Sequence, residues 1–327
     1  MTLLKDIQLF CPLKTSLCCL IVFMFHNTAY PQYEKISSSI QKQSYIYALK
    51  DSNQLGLDIY TSRGNDSSSK KPCILFIFGG AFITGHRDDS IYYKYFNRLV
   101  ENNYILVSIS YRLGLKGVQH VSKYNTRPLQ KAIEMAVEDV YDATNWLIAN
   151  ANRLGIDTSK IILSGTSSGA ITALESDFYK RNEIHASNKL SPTFEYAGVL
   201  AFSGAILSFN WGLKYLNPPA PTLMFHGTAD HIVPYNKISF LNKGFYGSSW
   251  IAKTFKGKNY PYYFYSEVGL GHEVALLPML NNIPDILEFI DQYIIHQKHY
   301  QTNLSFKNPD AKPQMLLTSD ELLKKLQ

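Results

Sequence analysis

The chain has 327 residues, 46% hydrophobic and 18% charged, with 19 Gly and 14 Pro. That composition excludes a disordered or collagen-like chain and leaves room for one large α/β domain or two small ones. A mean hydropathy of −0.13 and the lack of any apolar run near the ~18 residues of a spanning helix exclude a polytopic membrane protein. The net charge of +6 comes from scattered basic residues, so a nucleic-acid partner is unsupported.

In chain order, Lys5 and Lys14 precede the nine apolar residues 17–25, and His26-Asn27-Thr28-Ala29 follows. A basic start, a short apolar stretch and a small residue form the pattern of a secretory leader, here residues 1–29, and imply a secreted or periplasmic protein, the alternatives being an uncleaved anchor or a cytosolic apolar start. Nine residues are too few to span a bilayer, so no stable membrane span is expected. Three of the four cysteines, Cys11, Cys18 and Cys19, fall in this leader. The remaining Cys73 has no partner for a disulfide and sits in an apolar run, as a buried strand thiol would.

Residues 45–50 and 55–60, separated by Asp51-Ser52-Asn53-Gln54, predict a β-hairpin. Residues 73–78 form a continuous apolar strand that ends at Gly79-Gly80, and 104–110, 160–164, 197–202, 221–225 and 262–267 are further strands. Runs without alternation suit strands buried on both faces of a mostly parallel sheet. Leu129, Ala132, Ile133, Ala136, Val137, Val140, Ala143 and Leu147 follow the 3.6-residue period of one helix face. Residues 89–101 and 284–296 are shorter helices. Strands alternating with helices predict an α/β domain over residues 30–300, followed by a polar tail, 301–327. In that tail Thr318-Ser319-Asp320-Glu321 reads as the capping box of a short helix.

The strand 160–164 runs into Gly165-Thr166-Ser167-Ser168-Gly169, and a helix-compatible stretch follows. This is G-x-S-x-G in a strand–turn–helix setting, which makes Ser167 the candidate nucleophile. A serine hydroxyl needs a base to take its proton. His272, in Gly269-Leu270-Gly271-His272-Glu273 just past the strand 262–267, is the candidate, the alternative being an ordinary loop histidine. His272-Glu273 lacks the second histidine of a zinc helix motif, so no metal is called for. The base needs an acid to hold its tautomer. Asp230, just past the strand 221–225, is placed for it, although it could instead cap a helix near Ile232. His226 and His231 fit loop or structural roles better. Gly80 and Ala81 after the first buried strand, with the N–H of Ser168, are the candidate oxyanion donors, and a Gly-Gly pair can equally be a tight bend. Phe82 and Tyr111 are candidates for lining the substrate pocket, and aromatics at those places can equally be packing. Residues 203–219, with Trp211, read either as a small cap over the site or as a surface excursion.

Five segments carry a resemblance: Phe78-Gly79-Gly80-Ala81-Phe82, Ser110-Tyr111-Arg112-Leu113, Gly165-Thr166-Ser167-Ser168-Gly169, His226-Gly227-Thr228-Ala229-Asp230 and Gly271-His272. Together, over residues 45–297, the chain resembles the α/β-hydrolase superfamily in its carboxylesterase/lipase branch, near the hormone-sensitive-lipase and secreted esterase groups. The resemblance implies a central, mostly parallel eight-stranded sheet and cofactor-free hydrolysis of a small-molecule or carbohydrate-linked ester. Phe78 and Ala81 stand where the lipase-type H-G-G-G loop has His and its third Gly, so loop support and acyl fit depart from that pattern. Two other functions compete: a serine peptidase of the prolyl-oligopeptidase type, and a non-catalytic binding module descended from an esterase. The first usually carries a propeller for which 327 residues leave no room, and the second usually lacks the nucleophile or base.

Overall fold

A computed structural model describes residues 34–64, 68–118, 125–315, 318 and 321–322. The expected leader, residues 1–29, lies outside the described residues.

The strands, in chain order, are β1 (Ile40–Lys50), β2 (Asn53–Ser62), β3 (Lys71–Ile77), β4 (Ile105–Ile109), β5 (Ile156–Thr166), β6 (Gly198–Phe202), β7 (Ala205–Ser208), β8 (Thr222–Gly227), β9 (Lys237–Phe240), β10 (Lys243–Gly247), β11 (Tyr262–Glu267) and β12 (Gln301–Phe306). Nine of them form one sheet in the order β1-β2-β4-β3-β5-β6-β8-β11-β12. β1 and β2 are the expected hairpin, with Tyr45 opposite Leu57. From β4 through β12 every pairing is parallel.

The central parallel strands β3, β4, β6 and β8 are buried on both faces between helices, which is why their sequences carry no polar alternation. Cys73, Ile74, Leu75, Phe76 and Ile77 of β3 are all fully buried. Burial pushes the Cys73 thiol far above its ordinary range, so it stays an unreactive packing group. The helix Arg127–Leu154 has Pro at its first turn and ends at Gly155 in the left-handed region (φ 70°). Its face of Ala132, Ile133, Ala136, Val137, Val140, Ala143 and Leu147 is buried, packed on β5 and on the helix Ser168–Arg181. Each large apolar side chain so buried contributes about 1.5–3 kcal/mol.

Two parts of the architecture differ from expectation. The main sheet has nine strands rather than eight, because residues 301–306 of the expected tail form β12 and pair in register with β11, Tyr262 opposite Gln301. As an exposed edge strand, β12 has no reason to be apolar, so its polar sequence hid it. The second difference is a three-stranded sheet, β7-β10-β9, built from chain that leaves the C-terminal ends of β6 and β8. The expected helix 284–296 is present as Ile283–Phe289 continued by a π-helical turn, Ile290–Ile295.

Candidate active site

β5 ends at Thr166 and the helix Ser168–Arg181 begins two residues on, so the chain must reverse within one residue. That residue is Ser167, held at φ 53°, ψ −119°, a conformation that a side-chain-bearing residue occupies only under strain. The flanking glycines are demanded by space. A Cβ on Gly165 would lie 2.2 Å from the carbonyl oxygen of Gly169, and one on Gly169 would lie 2.0 Å from that of Ile77. Both obstacles are backbone, which cannot rotate away. The Ser167 N–H donates to the Phe202 carbonyl at the end of β6, fixing the turn against the neighbouring strand.

Asp230 follows β8 and His272 follows β11, the two strands next along the sheet after β6. The three side chains meet. Ser167 Oγ lies 2.8 Å from His272 Nε2, and His272 Nδ1 lies 2.8 Å from Asp230 Oδ2. Asp230 also serves the local role that its sequence allowed: its Oδ1 accepts from the N–H groups of Ile232 and Val233, both at 2.9 Å, closing a turn rather than starting a helix. The fully buried His226 reaches the same carboxylate, with Nε2 3.3 Å from Oδ2 and Nδ1 2.8 Å from Ser248 Oγ. Burial alone would raise the pKa of Asp230. The facing His272 and the hydrogen bonds from both imidazoles outweigh it and hold the carboxyl well below the usual carboxylate range.

A cavity of about 130 Å³ opens onto Ser167 and His272. Gly80 and Ala81 line it, on a loop where Ala81 (φ 56°) and Phe82 (φ 59°) are both left-handed. Ser168 opens the helix, so its N–H belongs to the first turn, which has no intrahelical acceptor. Phe82 and Tyr111, expected along the pocket, do not line it: both are buried behind the loop, edge to face. The Tyr111 hydroxyl donates to the Phe78 carbonyl at 2.9 Å and lies 3.4 Å from Ser168 Oγ, so this ring supports the glycine loop from beneath. Residues 203–219 contribute nothing to the cavity lining.

Among the lining residues that the sequence did not single out are Glu273, Met315 and Leu322. Glu273 accepts from the Gly271 N–H at 2.8 Å through Oε1 and from the Met315 N–H at 3.2 Å through Oε2, tying the C-terminal segment to the loop that carries His272. The capping box is present, with the Thr318 N–H and hydroxyl both donating to Glu321 Oε2 and the Glu321 N–H donating to Thr318 Oγ1. The sequence signal available was the capping box itself, which announces order in a segment otherwise read as a tail.

Comparison with known proteins places these features in context. The family model BD-FAE matches residues 57–212. Acetylcholinesterase 1 of Caenorhabditis briggsae is 26% identical over 165 residues, 48% of this chain and 25% of that protein. A probable carboxylesterase 5 of Arabidopsis thaliana is 26% identical over 149 residues, 42% of this chain and 41% of that protein. The matches therefore span well under half the length of these relatives. Among solved structures, esterase 2 of Thermogutta terrifontis superposes with a TM-score of 0.57 at 17% identity, covering 80% of this chain and 97% of that one.

Proposed function

The chain has the fold of the α/β-hydrolase superfamily, and from that premise we propose that it is a serine carboxylic-ester hydrolase acting on small esters. The observation that supports this reading is the continuous run of two 2.8 Å contacts from Ser167 through His272 to Asp230, opening on a cavity.

In the proposed reaction, Ser167 Oγ attacks the ester carbonyl carbon while His272 Nε2 takes the hydroxyl proton. Asp230 keeps the other ring nitrogen protonated and stabilises the imidazolium. The N–H groups of Gly80, Ala81 and Ser168 receive the oxyanion, and losing one such donor costs about 2.7–4 kcal/mol of barrier. The C–O bond then breaks, His272 returns its proton to the leaving alcohol, and water repeats the sequence on the acyl-enzyme. A cavity of about 130 Å³ is close in size to one that holds a single aromatic ring, which supports a short acyl chain or a small aromatic acid. A carbohydrate alcohol would remain largely outside it. The leader pattern of residues 1–29 supports action as a secreted or periplasmic enzyme.

The test is turnover of p-nitrophenyl acetate by the wild type and Ser167→Ala. Folding is checked by circular dichroism. Removing the nucleophile lowers kcat by about four to six orders of magnitude. Equal turnover in a folded variant overturns the reading.

A further inference from the structure

The second sheet, β7-β10-β9, has no part in the cavity and carries the most unusual surface among the described residues. β9 is its edge strand and is exposed along its whole length. Ile238 and Phe240 lie two apart on β9, hence on one face, at 67% and 78% exposure. Leu241, 68% exposed, follows in the turn, and Trp211, 72% exposed, is joined to that turn by its N–H donating to the Asn242 carbonyl. Leu241 and Trp211 both occupy the left-handed region, at φ 53° and 57°, where glycine is the ordinary choice. Two large apolar side chains are thus held outward at strained positions, where a small polar residue would cost less.

Charge around this tip is one-sided. Between residues 205 and 258 there are six lysines, Lys214, Lys237, Lys243, Lys253, Lys256 and Lys258, all exposed, and a single acidic residue. That residue is Asp230, buried in the site already described. This stretch therefore accounts for five of the chain's six net positive charges. The lysines nearest the tip lie over aromatic rings: Lys237 Nζ is 3.8 Å and Lys253 Nζ 5.2 Å from the Trp250 centroid, and Lys243 Nζ is 5.7 Å from that of Phe209.

We propose that this tip docks on an anionic phospholipid surface, with Trp211, Ile238, Phe240 and Leu241 entering the interfacial layer and the lysines meeting the headgroups. The chemistry is that of an interfacial anchor: apolar and aromatic groups that gain by leaving water, collared by cations. Charge favours this occupant over a second copy of the chain, since two such surfaces would set the six exposed lysines of residues 205–258 against their own copies, the one acid of that stretch being buried. The lysines on and beside β9 equally oppose pairing of its edge. Docking of this kind is peripheral; no helix among the described residues is long and apolar enough to cross a membrane.

The test is co-sedimentation of the full chain with vesicles of phosphatidylcholine alone and of phosphatidylcholine mixed with phosphatidylglycerol. The wild type pellets with the mixed vesicles, stays in solution with the neutral ones, and is released by salt. A triple variant, Trp211→Ser, Phe240→Ser and Leu241→Asn, loses binding by about tenfold or more. Lys237→Gln and Lys243→Gln each weaken it by about fivefold. All these positions are exposed, so unfolding midpoints by circular dichroism stay at the wild-type value and the loss is not one of folding. Equal partition onto neutral and mixed vesicles, or wild-type binding by the triple variant, overturns the proposal. So does a wild-type dimer in sedimentation velocity that the triple variant dissociates, because a second copy then covers the patch.

Discussion

Asp230 uses its two oxygens for different purposes, and that division explains how one residue fits two sequence readings. Oδ1 closes the turn at Ile232 and Val233, which fixes the side chain, and Oδ2 is left to face His272 and His226. Each of the three side chains that meet was legible because it stands just past a buried strand, where a loop can bring it to the sheet edge. Phe82 and Tyr111 take the packing role of the two that the sequence left open, because an aromatic beside a glycine loop looks the same from sequence whether it faces the cavity or supports the loop behind it. Glu175 gave no signal, since a glutamate in a helix reads as solvated. In the structure it is fully buried, one oxygen accepting from the Leu207 N–H and the other, Oε2, without a hydrogen-bond partner among the described residues. Burial raises its pKa well above the ordinary value, so the folded protein binds its proton where the unfolded chain releases it. Stability from this group is therefore complete below the unfolded carboxyl pKa and is lost as pH rises from there towards the folded one. Glu175→Gln removes the dependence. Relative to the variant, the wild type loses up to about 1.4 kcal/mol per pH unit above roughly pH 4.3 in urea unfolding, until the folded carboxyl ionises. A difference between the two proteins that is constant with pH contradicts this.

The turn between β5 and the helix Ser168–Arg181 was readable because its glycines are forced by backbone contacts, and a forced residue leaves a trace in sequence. The exposed strands β9 and β12 left little: neither has a buried face, β12 is mostly polar, and the alternation in β9 is only four residues long. The C-terminal segment shows a different limit: Met315-Leu316-Leu317 and Leu322-Leu323 are apolar in sequence, but nothing there says what they pack on, and Met315 and Leu322 line the cavity. Their side chains form part of the wall of the cavity that opens on Ser167. Met315→Ala shortens that wall, and the expected result is a rise of about tenfold in kcat/KM for p-nitrophenyl hexanoate relative to the acetate. An unchanged ratio means that the segment does not bound the acyl site.

For the molecule as a whole, β12 and, among the described residues after it, Met315 and Leu322 pack with the domain, although composition suggested that it ends at residue 300. β12 covers the outer edge of β11, the strand that leads to His272, and Glu273 ties the following segment back to the same loop. Ending the chain after Tyr300 exposes β11 and removes the Met315 wall. The melting temperature is expected to fall by about 5 °C or more, with a tendency to aggregate through the bared edge. A truncated chain that melts with the full one would show that the edge strand adds nothing. The net charge of +6 is uneven along the chain: residues 205–258 hold six exposed lysines against one acid, Asp230, which is buried at the site. Paraoxon transfers its diethylphosphoryl group to an activated serine, which makes it a direct probe for the proposed nucleophile. Paraoxon treatment followed by peptide mass mapping is expected to find a diethylphosphoryl group on Ser167, released p-nitrophenol in equal amount, and no remaining ester turnover. An adduct on another residue, or ester turnover that survives complete labelling of Ser167, would contradict the assignment.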